Sequence, residues 1–416
     1  KKITVPFCPE SKLSGIGYTD FINHFWYQRP ITIPQEWNGK NILLNFGAVY
    51  YKSEVYIDGV LASRHFGGTS SFAVDITSLV KSGQTHSLVV YVESDVRGAK
   101  QAAGKQNLQY ASYGCNYTRT TGIWQTVWME IVPVNYIEQI FYHTDYDQGL
   151  VHLKVLTQHS APVECVISGK DMEPVCINGM TNSELIVSLP NFHPWTPEDP
   201  FLYLVSLKSG ADRVSSYFAM RKCDIQTAPD GTQRFFLNNK PYFQAGVLDQ
   251  GYWPESLYTA PTDEALTADI SRMKKLGFNM LRKHAKIEPE RFYYHCDQLG
   301  MLVWQDMVNG GSAYKHWFVT YLATLMNWNH ILFPTMKSTP VCSPGSIPRE
   351  KTNSGAKSQK PSPFCTTIPA SSSGFHLMKA GGSSTRSRYA NKSARSIPPG
   401  WSITQAAGLT RRAAIF

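Results

Sequence analysis

The chain has 416 residues, 42% of them hydrophobic and 12% aromatic, so more than one domain with an apolar core is expected. Its net charge of +9 arises at the end of the chain, since 12 of the 40 lysines and arginines but only 1 of the 31 acids follow residue 332. The remainder is close to neutral, so a nucleic-acid partner is not expected for it.

The cysteines and the apolar runs exclude further classes of protein. The eight cysteines form no C-x-x-C pair and have no metal-like spacing with histidine, which predicts free thiols, no metal and no cofactor. No apolar run approaches the roughly 18 residues of a membrane helix, so no membrane contact is expected. We expect a cytoplasmic location. The sequence does not indicate whether a segment such as a signal peptide precedes Lys1. The oligomeric state is not indicated.

Residues 1–133 are predicted to form a β-sandwich of jelly-roll type. Short β-rich runs such as 41–46 and 87–92 alternate with turn residues such as Asp58 and Gly59. Within this domain, aromatic residues could line a sugar-binding face or pack in the core at a sheet edge. These residues are Trp26, Tyr27 and Trp37.

Residues 134–228 are again rich in short strands, for example 150–156 and 202–207. About 95 residues with this pattern predict an immunoglobulin-like sandwich. We expect a structural role for it, as a spacer between the first sandwich and the domain that follows.

Residues 229–332 alternate apolar runs with helical patterns, which predicts the first part of a (β/α)8 TIM barrel. Thr262 is the expected N-cap of the first helix, and a second helix should follow Pro289 and end at Gly300. Polar residues follow each predicted strand, at the end that faces the active site in such a barrel. These candidate pocket residues are Asp249, Gln250, Arg282, His284, Trp304 and Asp306.

Several segments resemble the glycoside hydrolases of family 2, which include β-galactosidases, β-glucuronidases and β-mannosidases. The most specific is the run YTRTTGIWQTVW at 117–128, and the segment WTPEDPFLY at 195–203 resembles one in the second domain of the family. Further similar segments lie at 45–49, 55–59, 65–68 and 72–77. The resemblance implies a β-glycoside substrate, and it implies a domain-interface role for Arg119 and Trp124.

The same resemblance implies a retaining mechanism that uses two glutamates. The acid/base glutamate would lie in an Asn-Glu pair after the fourth barrel strand, but no Asn-Glu pair occurs in this chain. No catalytic residue is therefore assigned, and we expect this polypeptide to be inactive. Arg282 matches the arginine that keeps the family's nucleophile ionised.

Residues 333–416 are predicted to be an unstructured, low-complexity basic tail. We hypothesise that this tail is translated out of frame. Read two nucleotides later, the codons for Met378 and Lys379 must give a glutamate, and the codons for 364–385 permit LYNHPGIVVWVSFNEGWGQFD. That string resembles the fourth-strand segment of the family.

Two other functions stay open. The chain could be a non-catalytic carbohydrate-binding protein that uses its first sandwich, or its basic tail could bind a polyanion.

Overall fold

The computed structural model describes residues 1–98 and 101–308, together with Leu325 and a strand near the end of the chain. Two antiparallel β-sandwiches are followed by a unit in which helices alternate with parallel strands. The described chain is therefore mostly β-sheet, as the sequence predicted. The rest of the predicted tail 333–416 lies outside the described residues, and so do most residues from 309 to 332.

The first sandwich places two antiparallel sheets around one apolar core. Its strands are β1 (His24–Thr32), β2 (Asn41–Phe46), β3 (Val49–Tyr50), β4 (Lys52–Ile57), β5 (Val60–Phe66), β6 (Phe72–Asp75), β7 (Thr85–Glu93), β8 (Gly122–Ile123) and β9 (Val127–Val132). One sheet has the order β1-β7-β4-β5, the other contains β9-β2-β6, and β3 pairs with β8. Short 3-10 helices cover Gln35–Trp37 and Thr77–Leu79.

Alternating side chains explain why these strands form a sandwich. In β7, Leu88, Val90 and Val92 point into the core, while the residues between them point outward. Asp58 and Gly59 join β4 to β5 with φ angles of 49° and 81°. Two consecutive positive φ angles are what a two-residue hairpin turn of the favoured hand requires.

The second sandwich follows directly and is also antiparallel. Its strands are β10 (Ile137–Asp145), β11 (Leu150–Thr157), β12 (Pro162–Ser168), β13 (Val175–Met180), β14 (Glu184–Ser188), β15 (Tyr203–Ser209) and β16 (Asp212–Phe218). The sheets have the orders β10-β11-β14 and β13-β12-β15-β16, and both contribute side chains to one core.

The third unit changes from antiparallel to parallel pairing. Its elements are β17 (Cys223–Thr227), β18 (Gln233–Leu237), β19 (Lys240–Pro241), β20 (Gly246–Asp249), α1 (Asp263–Lys275), β21 (Met280–Lys283), α2 (Glu290–Leu299) and β22 (Leu302–Gln305). Strands β17, β18 and β19 are antiparallel, whereas β20, β21 and β22 are parallel in that order. A further strand, β23 (Ala413–Ile415), pairs with β9 of the first sandwich.

The helix signals in the sequence are largely confirmed. The Thr262 hydroxyl accepts a hydrogen bond from the backbone N–H of Ala265 at 3.1 Å and caps α1. Helix α2 follows Pro289 and ends at Gly300 in a left-handed conformation. Leu276 does not belong to the apolar stripe of α1, since it is 69% exposed. It follows the last helical residue, so the helical periodicity no longer applies to it.

The two faces of the described parallel sheet differ in burial. Val247, Leu281 and Val303 pack beneath the helices, as one core. Successive residues point to opposite faces, and on the other face Leu248 is 50% exposed. In the described residues, no helix is long and apolar enough to cross a bilayer.

Candidate functional site

The C-terminal ends of β20, β21 and β22 gather polar side chains at one edge of the parallel sheet. In the register of these strands, Asp249 lies opposite Lys283, which in turn lies opposite Gln305. Parallel strands end at the same edge, so the polar residues that follow them meet there. Two separate groups of charged residues result.

The first group, which we call the strand-end triad, consists of Arg282, His284 and Asp306. The Arg282 Nε donates to both Asp306 oxygens, at 3.2 and 3.0 Å, and its terminal nitrogen is 3.0 Å from Oδ2. His284 Nδ1 lies 2.6 Å from the same Oδ2. Burial raises the pKa of Asp306, but the hydrogen bonds from His284 and Arg282 outweigh burial, so the net pKa is below its usual value.

The second group, the buried lysine cluster, consists of Asp249, Lys283, Lys286 and Glu288. Lys283 Nζ donates to Asp249 at 2.6 Å and to Glu288 at 2.8 Å. Lys286 Nζ lies 2.8 Å from the other Glu288 oxygen. Both lysines are fully buried, where an unpaired charge would be costly, and the carboxylates compensate for this.

The two buried lysines differ in the balance of burial and charge. Burial lowers the pKa of Lys283, but the charges of Glu288 and Asp249 outweigh it, and the net pKa is raised. For Lys286, the effect of burial exceeds the attraction of the Glu288 charge, and the net pKa is lowered to about 8. Lys286 also donates to the carbonyls of Gly251 and Tyr258.

The backbone at Gly251 lies close to the side chains of the lysine cluster. Gly251 has a φ of +66°, and a Cβ added there would lie 2.1 Å from Glu288 Oε1. A larger side chain would therefore displace the carboxylate that bridges the two lysines. This explains the glycine that follows Asp249 and Gln250.

The predicted pocket residues thus separate into distinct surroundings. Arg282, His284 and Asp306 form the triad, whereas Asp249 joins the lysine cluster. Gln250 and Trp304 are half-buried beside them, and the Trp304 ring lies 6.2 Å from the ring of Phe235.

Sequence reasoning missed Lys283, Lys286, Glu288 and Gln305. The signal was available in the strand alternation, since Lys283 and Gln305 continue the buried positions of Leu281 and Val303.

Trp124 lies where the first sandwich meets the third unit. Its ring packs edge-on against Tyr258, at 4.5 Å between centroids, and its carbonyl accepts from the Thr259 hydroxyl at 2.6 Å. Lys286 Nζ lies 5.8 Å from the Trp124 ring centroid, which links this contact to the lysine cluster.

The predicted interface residue Arg119 contacts only its own domain in the bonds described. Its guanidinium lies 3.7 Å from the ring centroid of Phe21 and donates to the carbonyls of Thr19 and Gln109. Its Nε is 3.7 Å from Glu10 Oε1.

The side chains at the strand ends can form hydrogen bonds and ion pairs with a ligand. Asp306 is held by Arg282 and has a pKa below its usual value, so it is not placed as a neutral acid that could donate a proton. In the described part of the chain, no three histidine, cysteine, aspartate or glutamate residues are grouped to hold a metal. The triad can orient hydroxyl or carboxylate groups of a ligand through its charged hydrogen-bonding groups.

The chain is similar in sequence to curated β-glucuronidases and to a curated β-galactosidase. The chain is 24% identical over 319 residues to β-glucuronidase of Canis lupus familiaris, covering 68% of this chain and 47% of that protein. It is 26% identical over 301 residues to β-galactosidase of Thermoanaerobacter pseudethanolicus, covering 68% and 39% respectively. The chain therefore spans about half the length of such relatives or less. No family model matches it.

Solved structures share the fold. A β-glucuronidase from Ruminococcus gnavus in complex with D-glucuronic acid superposes with a TM-score of 0.64 at 20% identity, covering 74% of this chain and 55% of that one. The β-D-glucuronidase of Dictyoglomus thermophilum gives a TM-score of 0.63 at 21% identity, covering 75% and 55%.

Proposed function

Because the chain is a relative of the family 2 glycoside hydrolases, we propose that it carries the framework of a β-glycoside hydrolase site but not its catalytic carboxylates. The observation that supports this most directly is the strand-end triad, in which three predicted pocket residues meet at one edge of a parallel sheet. The substrate class would be a β-glucuronide or a β-galactoside, as the names of the matched relatives suggest. The proposed location is the cytoplasm.

The third unit would be the first part of a (β/α)8 barrel. Strand–helix alternation supports this, and so does the 50% exposure of Leu248 on the face opposite the helices. In a closed barrel that face points inward and is covered by the remaining strands. The domains would then be a jelly-roll sandwich at 1–133, an immunoglobulin-like sandwich at 134–228 and the barrel part at 229–332.

The polypeptide with this sequence would be inactive. A retaining glycosidase needs two carboxyl groups about 5–5.5 Å apart, and the sequence has no Asn-Glu pair to supply the acid/base. The purified chain should therefore release no aryl group from aryl β-glucuronides or aryl β-galactosides. Turnover above that of a heat-denatured sample would refute this part of the proposal.

A second experiment tests the reading-frame hypothesis. Resequencing the gene should reveal a frame change near codon 333, and a gene from which two nucleotides are deleted there should encode an active glycosidase. Changing the restored glutamate, encoded across Met378 and Lys379, to glutamine should remove that activity. An intact single-frame sequence together with an inactive restored protein would contradict the hypothesis.

A further inference from the structure

Three aromatic side chains lie together on the outer face of the first sandwich. We call Trp26, Tyr56 and Tyr91 the aromatic platform. They belong to β1, β4 and β7, which are neighbours in one sheet, and Trp26 lies opposite Tyr91 in the register. Trp26 is 60% exposed, an unusual position for the largest apolar side chain.

The platform lies on the face of the sheet that points away from the core. In β1, Phe25 and Tyr27 point inward and pack on the core, and Trp37 is buried in it. Of the two alternatives left open by the sequence, core packing therefore applies to Tyr27 and Trp37. Alternation along β1 places Trp26 alone of these on the opposite surface.

The Trp26 ring lies beside both tyrosine rings of the platform. The Trp26 ring centroid lies 4.6 Å from that of Tyr91 and 6.0 Å from that of Tyr56, with interplanar angles of 42° and 43°. His24 of β1 also stacks on Tyr91, with ring centroids 6.2 Å apart, and its Nδ1 lies 2.7 Å from the Tyr91 hydroxyl. The tyrosine ring is thereby held in place before any ligand arrives.

The charged groups at the rim of the platform neutralise one another. Arg64 donates to Glu54 at 2.7 Å, and the Tyr56 hydroxyl donates to the same carboxylate. Lys52 pairs with Glu93 at 2.8 Å. The rim therefore presents polar groups without a net charge, which suits a neutral, hydroxyl-rich ligand better than a polyanion or an acidic peptide.

We propose that the aromatic platform binds a neutral sugar ring of an oligosaccharide. The negative face of an aromatic ring attracts the polarised C–H groups on one face of a pyranose, and the rim side chains can bond its hydroxyls. This site is separate from the strand-end triad, since contacts between the first sandwich and the third unit, such as Trp124 against Tyr258 and Tyr117 against Tyr252, involve other residues than the platform. It requires no catalysis.

Titration calorimetry of the full chain with cellohexaose, xylohexaose and β-1,4-galactotetraose tests the proposal. At least one should bind, and Trp26→Ala should weaken that binding by about tenfold or more, while Trp26→Phe retains most of it. Tyr113→Ala removes an exposed aromatic side chain outside the strands that carry the platform, and it should leave binding unchanged. Circular dichroism melts should show that all variants fold.

The remaining outcomes would overturn the proposal. They are an absence of binding to all three neutral oligosaccharides, equal binding by Trp26→Ala, or binding of a hyaluronan oligosaccharide alone. A fall in oligomer size in Trp26→Ala, measured by sedimentation velocity, would instead show that the platform contacts a second copy. Asp306→Asn should not alter the titration, so failure of the proposed hydrolase site and failure of this one are distinguishable.

Discussion

Replacing Glu10 by glutamine should change how the stability of the first sandwich depends on pH. Glu10 is buried, accepts hydrogen bonds from Thr121 and lies 3.7 Å from the Arg119 Nε. Burial outweighs the attraction of Arg119 and raises the pKa of Glu10 from 4.5 to about 7. This difference corresponds to on the order of 3 kcal/mol of unfolding free energy.

The sign follows from proton binding. Between pH 4.5 and about 7 the folded chain holds the Glu10 proton, whereas the unfolded chain has lost it, so the unfolding free energy falls as pH rises through this window. Glutamine cannot ionise and keeps the shape of the protonated acid. The variant should therefore match the parent near pH 4.5 and exceed it by roughly 3 kcal/mol above pH 7.

Urea unfolding followed by tryptophan fluorescence, at half-unit steps from pH 4.5 to 7.5, measures this difference. The same substitution at Glu36, on an exposed 3-10 helix, is the matched control, because it removes a carboxylate without altering a buried site. Parallel stability curves for the parent and the Glu10 variant would refute the reasoning, since they would mean that no net proton binding is linked to folding at Glu10.

Three further changes follow from buried contacts, each read out by urea unfolding. Trp124→Ala should cost about 3–5 kcal/mol, because its fully buried ring packs on Tyr258; a loss no larger than that of Trp26→Ala would contradict this. Asp297→Ala should lower the unfolding free energy by about 3–5 kcal/mol, because it removes the buried carboxylate that accepts hydrogen bonds from Arg221 and Tyr217. Asp269 forms an exposed ion pair with Arg272, so Asp269→Ala should lower it by less than about 1 kcal/mol. Lys286→Met should abolish a rise in stability between pH 8 and 10.5, because the unfolded lysine binds its proton more tightly than the folded one, whose pKa is about 8; an unchanged slope there would contradict it.

Local signals in the sequence predicted local structure well. The Asp58–Gly59 turn and the Thr262 cap depend on a few adjacent residues, whose conformational preferences decide the outcome. Trp26 could not be placed in the same way, because β1 has aromatic side chains on both faces and hydrophobicity does not distinguish them. Only pairing with β7 identifies the outward face.

The lysine cluster shows why the site was harder to predict than the elements that carry it. A buried lysine is unfavourable unless a carboxylate is paired with it. One such carboxylate, Asp249, lies at the end of β20, which helix α1 separates from Lys283 along the chain. Strand alternation therefore places Lys283 at a buried position of β21, but it does not identify the carboxylates that make this burial tolerable. Pairing across the sheet decides this.

Strand alternation also separates the roles of neighbouring residues at the sheet edge. Lys283 continues the buried side of β21 that faces the helices, so its neighbour Arg282 points to the opposite face, the one on which Leu248 is exposed. A ligand that approaches this open face meets Arg282 and its partner Asp306. Asp249, although it ends the first parallel strand, is bound to Lys283. Under the proposed function, Arg282 and its partner Asp306 would face the substrate, whereas Asp249 would connect the strands through Lys283.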